Sequence, residues 1–240
     1  RETFALNALV GVDFAAWLLY AQENGITSFD DLIPLAYRPA LSVRHDRIAS
    51  IPLMAYAVPI GEIKAAVDAG LRAGDRLIVT GTVGDHGMAI MARRHDLRLE
   101  GDLRSDVAPV NGLVRAALRA GGEDVVAMKD PTRGGVSGVL HEMAAKGKVG
   151  IVVEEAAVPL RDEVRAAAEM VGIEPLLVAN EGKAVIAVRA RAAEKVLAAV
   201  RAHPLGRAAA LFATATADRP GAVVLDTGFG RRLLAEPAGE

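Results

Sequence analysis

The run from Lys129 to Gly135, Lys-Asp-Pro-Thr-Arg-Gly-Gly, combines the residue types that bind an anion. It lies between an apolar run and a helical pattern, and the unpaired N–H groups and dipole of a helix N-terminus favour negative charge. Thr132 adds a hydroxyl, and Arg133 adds a fork of donors that suits phosphate or carboxylate. The alternative is an ordinary helix start, in which Asp130 or Thr132 caps the helix and Arg133 is solvated.

A second candidate is the glycine-rich turn Gly81–Gly87, which also follows an apolar run. Asp85 could hold a metal ion or polarise a water molecule. His86 could transfer a proton near neutral pH, because an imidazole titrates in that range. The competing interpretation is that Asp85 caps a helix that begins at His86.

The third candidate is the segment Ala179–Lys183, Ala-Asn-Glu-Gly-Lys, just before another apolar run. Glu181 and Lys183 flank a glycine and could form a carboxylate–ammonium pair beside a ligand, or they could be a solvated turn. Each of the three turns is unspecific when it is taken alone.

The elements that must position these turns alternate between short β-rich runs and helical patterns, which predicts a layered α/β domain with a mixed sheet and flanking helices. The predicted strands are Arg76–Gly81, Val125–Met128, Val149–Glu154, Ala184–Val188, Leu211–Thr216 and Val223–Leu225. The predicted helices are one through Met88 and Met91, and those at Val136–Lys146, Asp162–Val171 and Ala192–Ala202. Gly172 is expected to end the third of these helices.

The composition divides the 240-residue chain at about residue 70. Residues 1–70 contain the only Trp and all three Tyr, whereas residues 71–240 are rich in Ala, Val, Gly and Arg. We therefore predict an N-terminal segment, mostly helical, and a second domain at 71–240. A helix at Leu6–Gln22, interrupted by polar residues, is predicted to be buried rather than to span a membrane.

Charge and cysteine content exclude several classes of function. A formal net charge of -2 gives no electrostatic reason to expect nucleic acid or an anionic membrane as a partner. The chain has no cysteine, which excludes disulfides, thiolate metal sites and a cysteine nucleophile within it. The first residue is Arg1, so we expect a fragment, a processed chain or a trimmed one.

In this order, the three turns resemble the C-terminal half of the HypE hydrogenase maturation proteins. These belong to the superfamily of aminoimidazole ribonucleotide (AIR) synthetase and selenophosphate synthetase. The resemblance covers about residues 72–240. It extends to the segments Leu103–Pro109, Val149–Glu155 and His203–Gly206.

The resemblance implies two groups of site residues that line one cleft. The group with catalytic roles comprises Asp85, His86, Glu181 and Lys183. The group that faces phosphate or nucleotide comprises Asp130, Thr132, Arg133, Gly134, Gly135 and Asn180. No residue of this chain is assigned as a metal ligand.

The resemblance also implies a chemistry and partners. HypE proteins use ATP and Mg²⁺ to dehydrate a carbamoyl group on their own C-terminal cysteine, which yields the precursor of the cyanide ligand of nickel–iron hydrogenase. Phosphorylation of the amide oxygen would depend on positioning and charge neutralisation. The implied partners are a carbamoyl donor and a cyanide-accepting scaffold, the location is the cytoplasm, and the family state is a homodimer.

Two departures from the family pattern affect this reading. Family members end in a Pro-Arg-Ile-Cys tail, whereas this sequence stops at Ala238-Gly239-Glu240. Residues 1–70 also do not resemble the family's ATP-binding domain and lack its acidic-Gly metal motif. Because that domain pairs in the family homodimer, its loss would allow this chain to be a monomer. Thr3–Gly25 and Ile51–Gly70 instead resemble an enolase-superfamily fragment, which would make the chain a fusion.

The sequence is compatible with three functions. The first is a HypE-type ATP-dependent carbamoyl dehydratase. The second is another ATP-using member of the superfamily, similar to selenophosphate synthetase or AIR synthetase. The third is a non-catalytic module that binds a partner or a nucleotide without turnover.

Overall fold

The computed structural model describes residue 25, residues 70–94 and residues 103–237. Apart from Gly25, all of these fall in the second of two compact units into which the chain divides, Ala49–Glu240. The predicted helix at Leu6–Gln22, the enolase-like segments and the last three residues lie outside the described part. The predicted domain boundary at residues 70/71 stays a prediction.

The described residues form seven strands and five α-helices, joined by loops and short 3-10 turns. The strands are β1 Arg76–Val79, β2 Val125–Lys129, β3 Gly150–Glu154, β4 Val185–Val188, β5 Ala210–Thr216, β6 Val223–Asp226 and β7 Arg231–Leu233. The helices are α1 Asp85–Arg94, α2 Asn111–Gly121, α3 Gly135–Gly147, α4 Asp162–Val171 and α5 Ala193–Arg201. None of these helices is long and apolar enough to cross a membrane.

All strands belong to one mixed sheet in the order β2-β4-β1-β5-β3-β6-β7. Only β3 and β6 run parallel, and every other neighbouring pair is antiparallel. The predicted mixed sheet with flanking helices is therefore confirmed.

Helices cover the two faces of the sheet in different places. Because strand side chains alternate between faces, Leu77 and Val79 of β1 pack on the side of α3, while Ile78 packs on the side of α2 and α5. A third, smaller cluster joins Met88 of α1 to Val164 of α4. These clusters fix the helices α1 and α3, which follow the first two glycine-rich turns.

Every strand and helix predicted within the described residues is present, with ends that differ by a few residues at most. Gly172 follows α4 in the left-handed conformation, as predicted. The sequence reading missed two elements, α2 and β7. The spacing of Leu113, Val114, Ala117 and Leu118 on the buried face of α2 is a usable helical signal. In contrast, β7 is a three-residue edge strand whose residues are all exposed.

Strand direction brings the three turns to one edge of the sheet. In the register, Val79 at the end of β1 and Lys129 at the end of β2 both pair with Val185 at the start of β4. The last residues of β1 and β2 therefore lie at the same end of the sheet as the first residue of β4, and the three turns meet at that end. Thr80 continues the contact, since its N–H donates to the carbonyl of Ala184.

Candidate functional site

Asn180 joins the three turns directly, and it is almost completely buried. Its side-chain oxygen accepts a 2.7 Å hydrogen bond from the N–H of Gly84 in the first turn. Its backbone N–H donates to the carbonyl of Pro131 in the second turn at 2.9 Å, and its side-chain nitrogen donates to the same carbonyl at 3.3 Å. One side chain of the third turn therefore fixes the positions of the other two.

The second turn leads into α3, and no side chain caps the N-terminus of this helix. Gly134 is the N-cap residue with φ +74°, and Gly135 begins the helix with φ +62°. A Cβ on Gly135 would lie 2.6 Å from the carbonyl oxygens of Leu176 and Val178. Only glycine combines this backbone conformation with such close packing. The interpretation of Asp130 or Thr132 as the helix cap is therefore wrong.

Thr132 and Arg133 lie closer to the surface than the buried Pro131 of the same turn. Thr132 is half-buried, and its hydroxyl donates to the Asp130 carboxylate at 3.1 Å. Arg133 is exposed and makes no hydrogen bond or ion pair with the described residues. The turn thus combines a guanidinium with the N-terminus of α3, an arrangement suited to an anion.

Asp85 is buried at the start of α1, and protein groups occupy both of its oxygens. The Thr82 hydroxyl donates to one oxygen at 2.5 Å, and the Arg161 guanidinium donates to the other at 3.3 Å. Arg161 also pairs with Glu163 at 3.3 Å. Burial acts to lower the pKa of Arg161, but the hydrogen bond with Glu163 and the charges of Glu163 and Asp85 outweigh it and raise that pKa. Asp85 is therefore held by a permanently charged arginine.

His86 lies between two polar side chains. Its Nδ1 is 2.8 Å from the Ser105 hydroxyl, and its Nε2 is 3.9 Å from a carboxylate oxygen of Glu181. Glu181 is exposed, whereas His86 is half-buried. Among the four predicted catalytic residues, these two are the accessible ones whose side chains could accept or release a proton.

Lys183 does not pair with Glu181, the pairing that the sequence left open. Its ammonium instead donates to Asp106 at 2.9 Å, where the two side chains are only 10% and 5% exposed. The reason is close backbone packing. A Cβ on Gly182 would lie 1.9 Å from the carbonyl oxygen of Asp106, so glycine lets the two segments meet and brings the carboxylate to Lys183.

Sequence reasoning missed three residues that contact the predicted site, namely Ser105, Asp106 and Arg161. Ser105 and Asp106 lie in the Leu103–Pro109 segment, which resembles the family but contains no predicted site residue. No signal in the sequence singled out Arg161.

The described residues fit the phosphates of a nucleotide but not a resident metal ion. Arg133 is exposed beside the start of α3, where no side chain caps the helix, and a guanidinium at a helix N-terminus suits a phosphate group. In contrast, the oxygens of Asp85 and Asp106 are engaged within the protein. No group of three or more His, Asp or Glu side chains among the described residues could hold a metal ion.

Comparisons with known proteins agree with this architecture. The family "AIR synthase related protein, C-terminal domain" matches residues 72–226. The carbamoyl dehydratase HypE of Rhizobium leguminosarum bv. viciae is 46% identical over 159 residues, which are 66% of this chain and 45% of that protein. The chain spans about half the length of the curated relatives it matches.

Two solved structures extend the comparison. A hydrogenase maturation protein HypE in complex with ATP superimposes with a TM-score of 0.66 and 36% identity, covering 72% of this chain and 53% of that one. A HypE–HypF complex contains a chain with a TM-score of 0.67 and 37% identity, covering 70% of this chain and 55% of that one.

Proposed function

Because the chain belongs to the family of AIR synthase related proteins, whose C-terminal domain matches residues 72–226, we propose that it is the C-terminal part of a HypE-type carbamoyl dehydratase. The reaction converts a thiol-bound carboxamide to a nitrile. ATP phosphorylates the amide oxygen, the nitrogen loses two protons, and the oxygen leaves with the phosphate.

The convergence of the three turns on Asn180 is the observation that carries this proposal. It supports a site in which the N-terminus of α3, with Arg133, lies near Glu181 of the third turn and His86 of the first turn. Phosphate and a proton-accepting pair are the two requirements of a dehydration driven by ATP. The ATP complex of a relative supports the nucleotide as the anion.

The residues divide into two kinds of role. Arg133, together with the dipole of α3, would neutralise phosphate charge. Glu181, with His86 behind it, would accept protons from the amide nitrogen. Asp85, Asn180 and Lys183 are buried, so we assign them to holding the site rather than to contact with substrate. Mg²⁺ would arrive with the nucleotide, because the described residues contain no group of three or more His, Asp or Glu side chains that could hold it.

The partners are also part of the proposal. The HypE–HypF complex of a relative supports binding to another hydrogenase maturation protein, which would supply the carbamoyl group. A cysteine-bearing tail beyond Glu240 would carry that group, and the reaction would take place in the cytoplasm. A cyanide-accepting scaffold would be the next partner, and the complete protein would be a homodimer.

Calorimetric titration of the chain with ATP and Mg²⁺ tests the nucleotide site. We expect saturable binding that weakens when Arg133 is replaced by Ala. An absence of heat and of competition by ADP would contradict the nucleotide site and favour the non-catalytic module.

A second experiment tests the reaction. The chain is extended by Pro-Arg-Ile-Cys and incubated with the carbamoyl-donating maturation protein, ATP and Mg²⁺. We expect the mass of the tail to rise by one carbamoyl group and then fall by one water. A tail that stays unmodified while a full-length HypE protein reacts would show that this chain is not a working dehydratase.

A further inference from the structure

Taking the proposed function as given, we propose that Ser105 and Asp106 position the reacting groups of the site. Ser105 sets which nitrogen of His86 carries the proton, and Asp106 holds the segment of Glu181 and Lys183. Neither residue needs to touch substrate. Ser105 acts through His86, and Asp106 acts through Glu181 and Lys183.

The hydrogen bonds around Ser105 give its hydroxyl a direction. Its oxygen accepts from the N–H of Val107 at 3.3 Å, so its one proton is free to point elsewhere. The partner in that direction is Nδ1 of His86, at 2.8 Å. If the hydroxyl donates there, Nδ1 is an acceptor and the imidazole hydrogen must lie on Nε2.

Glu181 favours the same tautomer from the other side of the ring. Its carboxylate is an acceptor only, and it lies 3.9 Å from Nε2 of His86. An N–H on Nε2 is therefore directed towards Glu181. The order of donors, Val107 to Ser105 to His86 to Glu181, is consistent along its whole length. Glu181 is the last acceptor in this series of donors and acceptors, and its side chain is exposed.

Asp106 fixes the backbone on both sides of Gly182. One carboxylate oxygen accepts from the N–H of Glu181 at 3.2 Å, and the other accepts from the Lys183 ammonium at 2.9 Å. The Lys183 stem passes over Gly81, where a Cβ would lie 2.6 Å from its Cε. Asp106 thus secures the Glu181 segment against the end of β1 and holds the carboxylate at its distance from His86.

The protein contains internal references for a test of the tautomer. His141 Nδ1 lies 2.9 Å from the carbonyl oxygen of Ser137, and since a carbonyl only accepts, this ring must carry its hydrogen on Nδ1. His203 Nδ1 accepts from the N–H of Leu205, so this ring must carry its hydrogen on Nε2. The two rings give opposite nitrogen shift patterns in one spectrum.

The experiment is a long-range ¹H–¹⁵N spectrum of histidine-labelled chain at about pH 8.5, where an ordinary imidazole is neutral. We expect His86 to match the pattern of His203. In Ser105→Ala the two nitrogen shifts of His86 should move towards each other, and Ser105→Thr should restore them. Ser137→Ala is the control and should leave His86 and His203 unchanged.

Two outcomes would overturn the role of Ser105. One is a His86 pattern that matches His141, because the hydroxyl would then be the acceptor. The other is an unchanged pattern in Ser105→Ala, which would assign the tautomer to Glu181 alone. Neither readout requires nucleotide, so failure here is separate from failure of the proposed dehydratase.

Amide hydrogen exchange tests the role of Asp106. In Asp106→Ala the Glu181 amide loses its acceptor, and its exchange should accelerate at least tenfold relative to amides in β4. Asp106→Asn keeps an acceptor oxygen, so its Glu181 amide should exchange at a rate between those of the wild type and Asp106→Ala. This variant also provides a test if the alanine variant does not fold. Equal exchange of the Glu181 amide in the wild type and in Asp106→Asn and Asp106→Ala would refute the positioning role.

Discussion

The side-chain oxygen of Asn180 accepts a hydrogen bond from the backbone N–H of Gly84, 96 residues earlier in the chain. Both groups are buried, so water cannot replace either partner. The same side chain also donates to the carbonyls of Pro131 and Val178. Asn180 is therefore the residue whose replacement should affect all three turns at once.

We expect Asn180→Ala to lower the free energy of unfolding by about 1–3 kcal/mol for each buried group that it leaves unpaired. Asn180→Asp should be at least as harmful, since a carboxylate oxygen would face the carbonyls of Pro131 and Val178. Urea denaturation followed by circular dichroism measures both. Asn111, which is exposed at the start of α2, provides the control, and Asn111→Ala should change stability little.

Gly135 and Gly172 form a matched pair for a second prediction. Both have positive φ, +62° and +68°. Gly172→Ala meets nothing within 4 Å, so only the left-handed backbone opposes it, at a cost of about 1–2 kcal/mol. Gly135→Ala adds a Cβ that collides with two carbonyl oxygens and should cost clearly more. Equal losses of unfolding free energy in the two variants would show that the N-terminus of α3 can shift away from these carbonyl oxygens at no cost.

The convergence of the turns could be predicted from the sequence, but their internal contacts could not. Short apolar runs gave every strand except β7, and the family order gave the three turns. The pairing of Lys183 with Asp106 was out of reach, because it joins positions 77 residues apart through an irregular segment. Only the packing of Gly182 against Asp106 makes this contact, and a glycine between two polar residues does not reveal what it packs against.

Arg133 is the residue for which a role in binding and a role in folding separate most clearly. It is exposed and makes no hydrogen bond or ion pair with the described residues, so Arg133→Ala should leave the free energy of unfolding nearly unchanged. The same change should weaken a phosphate-containing ligand by about 1.5–3 kcal/mol, the scale of a charged hydrogen bond. Titration with ATP measures the loss, and Arg119→Ala on the exposed face of α2 is the control. Equal affinity for ATP in Arg133→Ala and Arg119→Ala would show that Arg133 is a solvated residue with no role in binding.

Asp124 and Arg191 give a prediction about pH. The hydrogen bond from Arg191 holds the pKa of Asp124 below its ordinary value. A carboxylate with a lowered pKa stabilises the fold above its unfolded pKa, and this contribution is lost as the pH falls through the folded value. Arg191→Ala should therefore raise the pKa of Asp124, as measured by carboxyl ¹³C shifts. An unchanged pKa would show that the exposed pair does not persist in solution.

The buried pair Lys183–Asp106 should be strongly coupled, because each side chain is nearly removed from water. Lys183→Met leaves a buried carboxylate without its cation, and Asp106→Asn leaves a buried ammonium without its anion. Breaking such a pair on one side costs about 3–5 kcal/mol, whereas removing both charges together costs less. The double variant should therefore be more stable than the sum of the two single losses predicts.

A double-mutant cycle in urea measures this coupling. The exposed pair Arg191–Asp124, whose arginine side chain is 79% exposed, serves as the reference and should show much weaker coupling, because water and salt screen it. High salt should reduce the reference coupling further and leave that of Lys183–Asp106 almost unchanged. Additive losses for Lys183 and Asp106 would mean that water reaches the pair. In that case Asp106 could not hold the Glu181 segment in place by this contact.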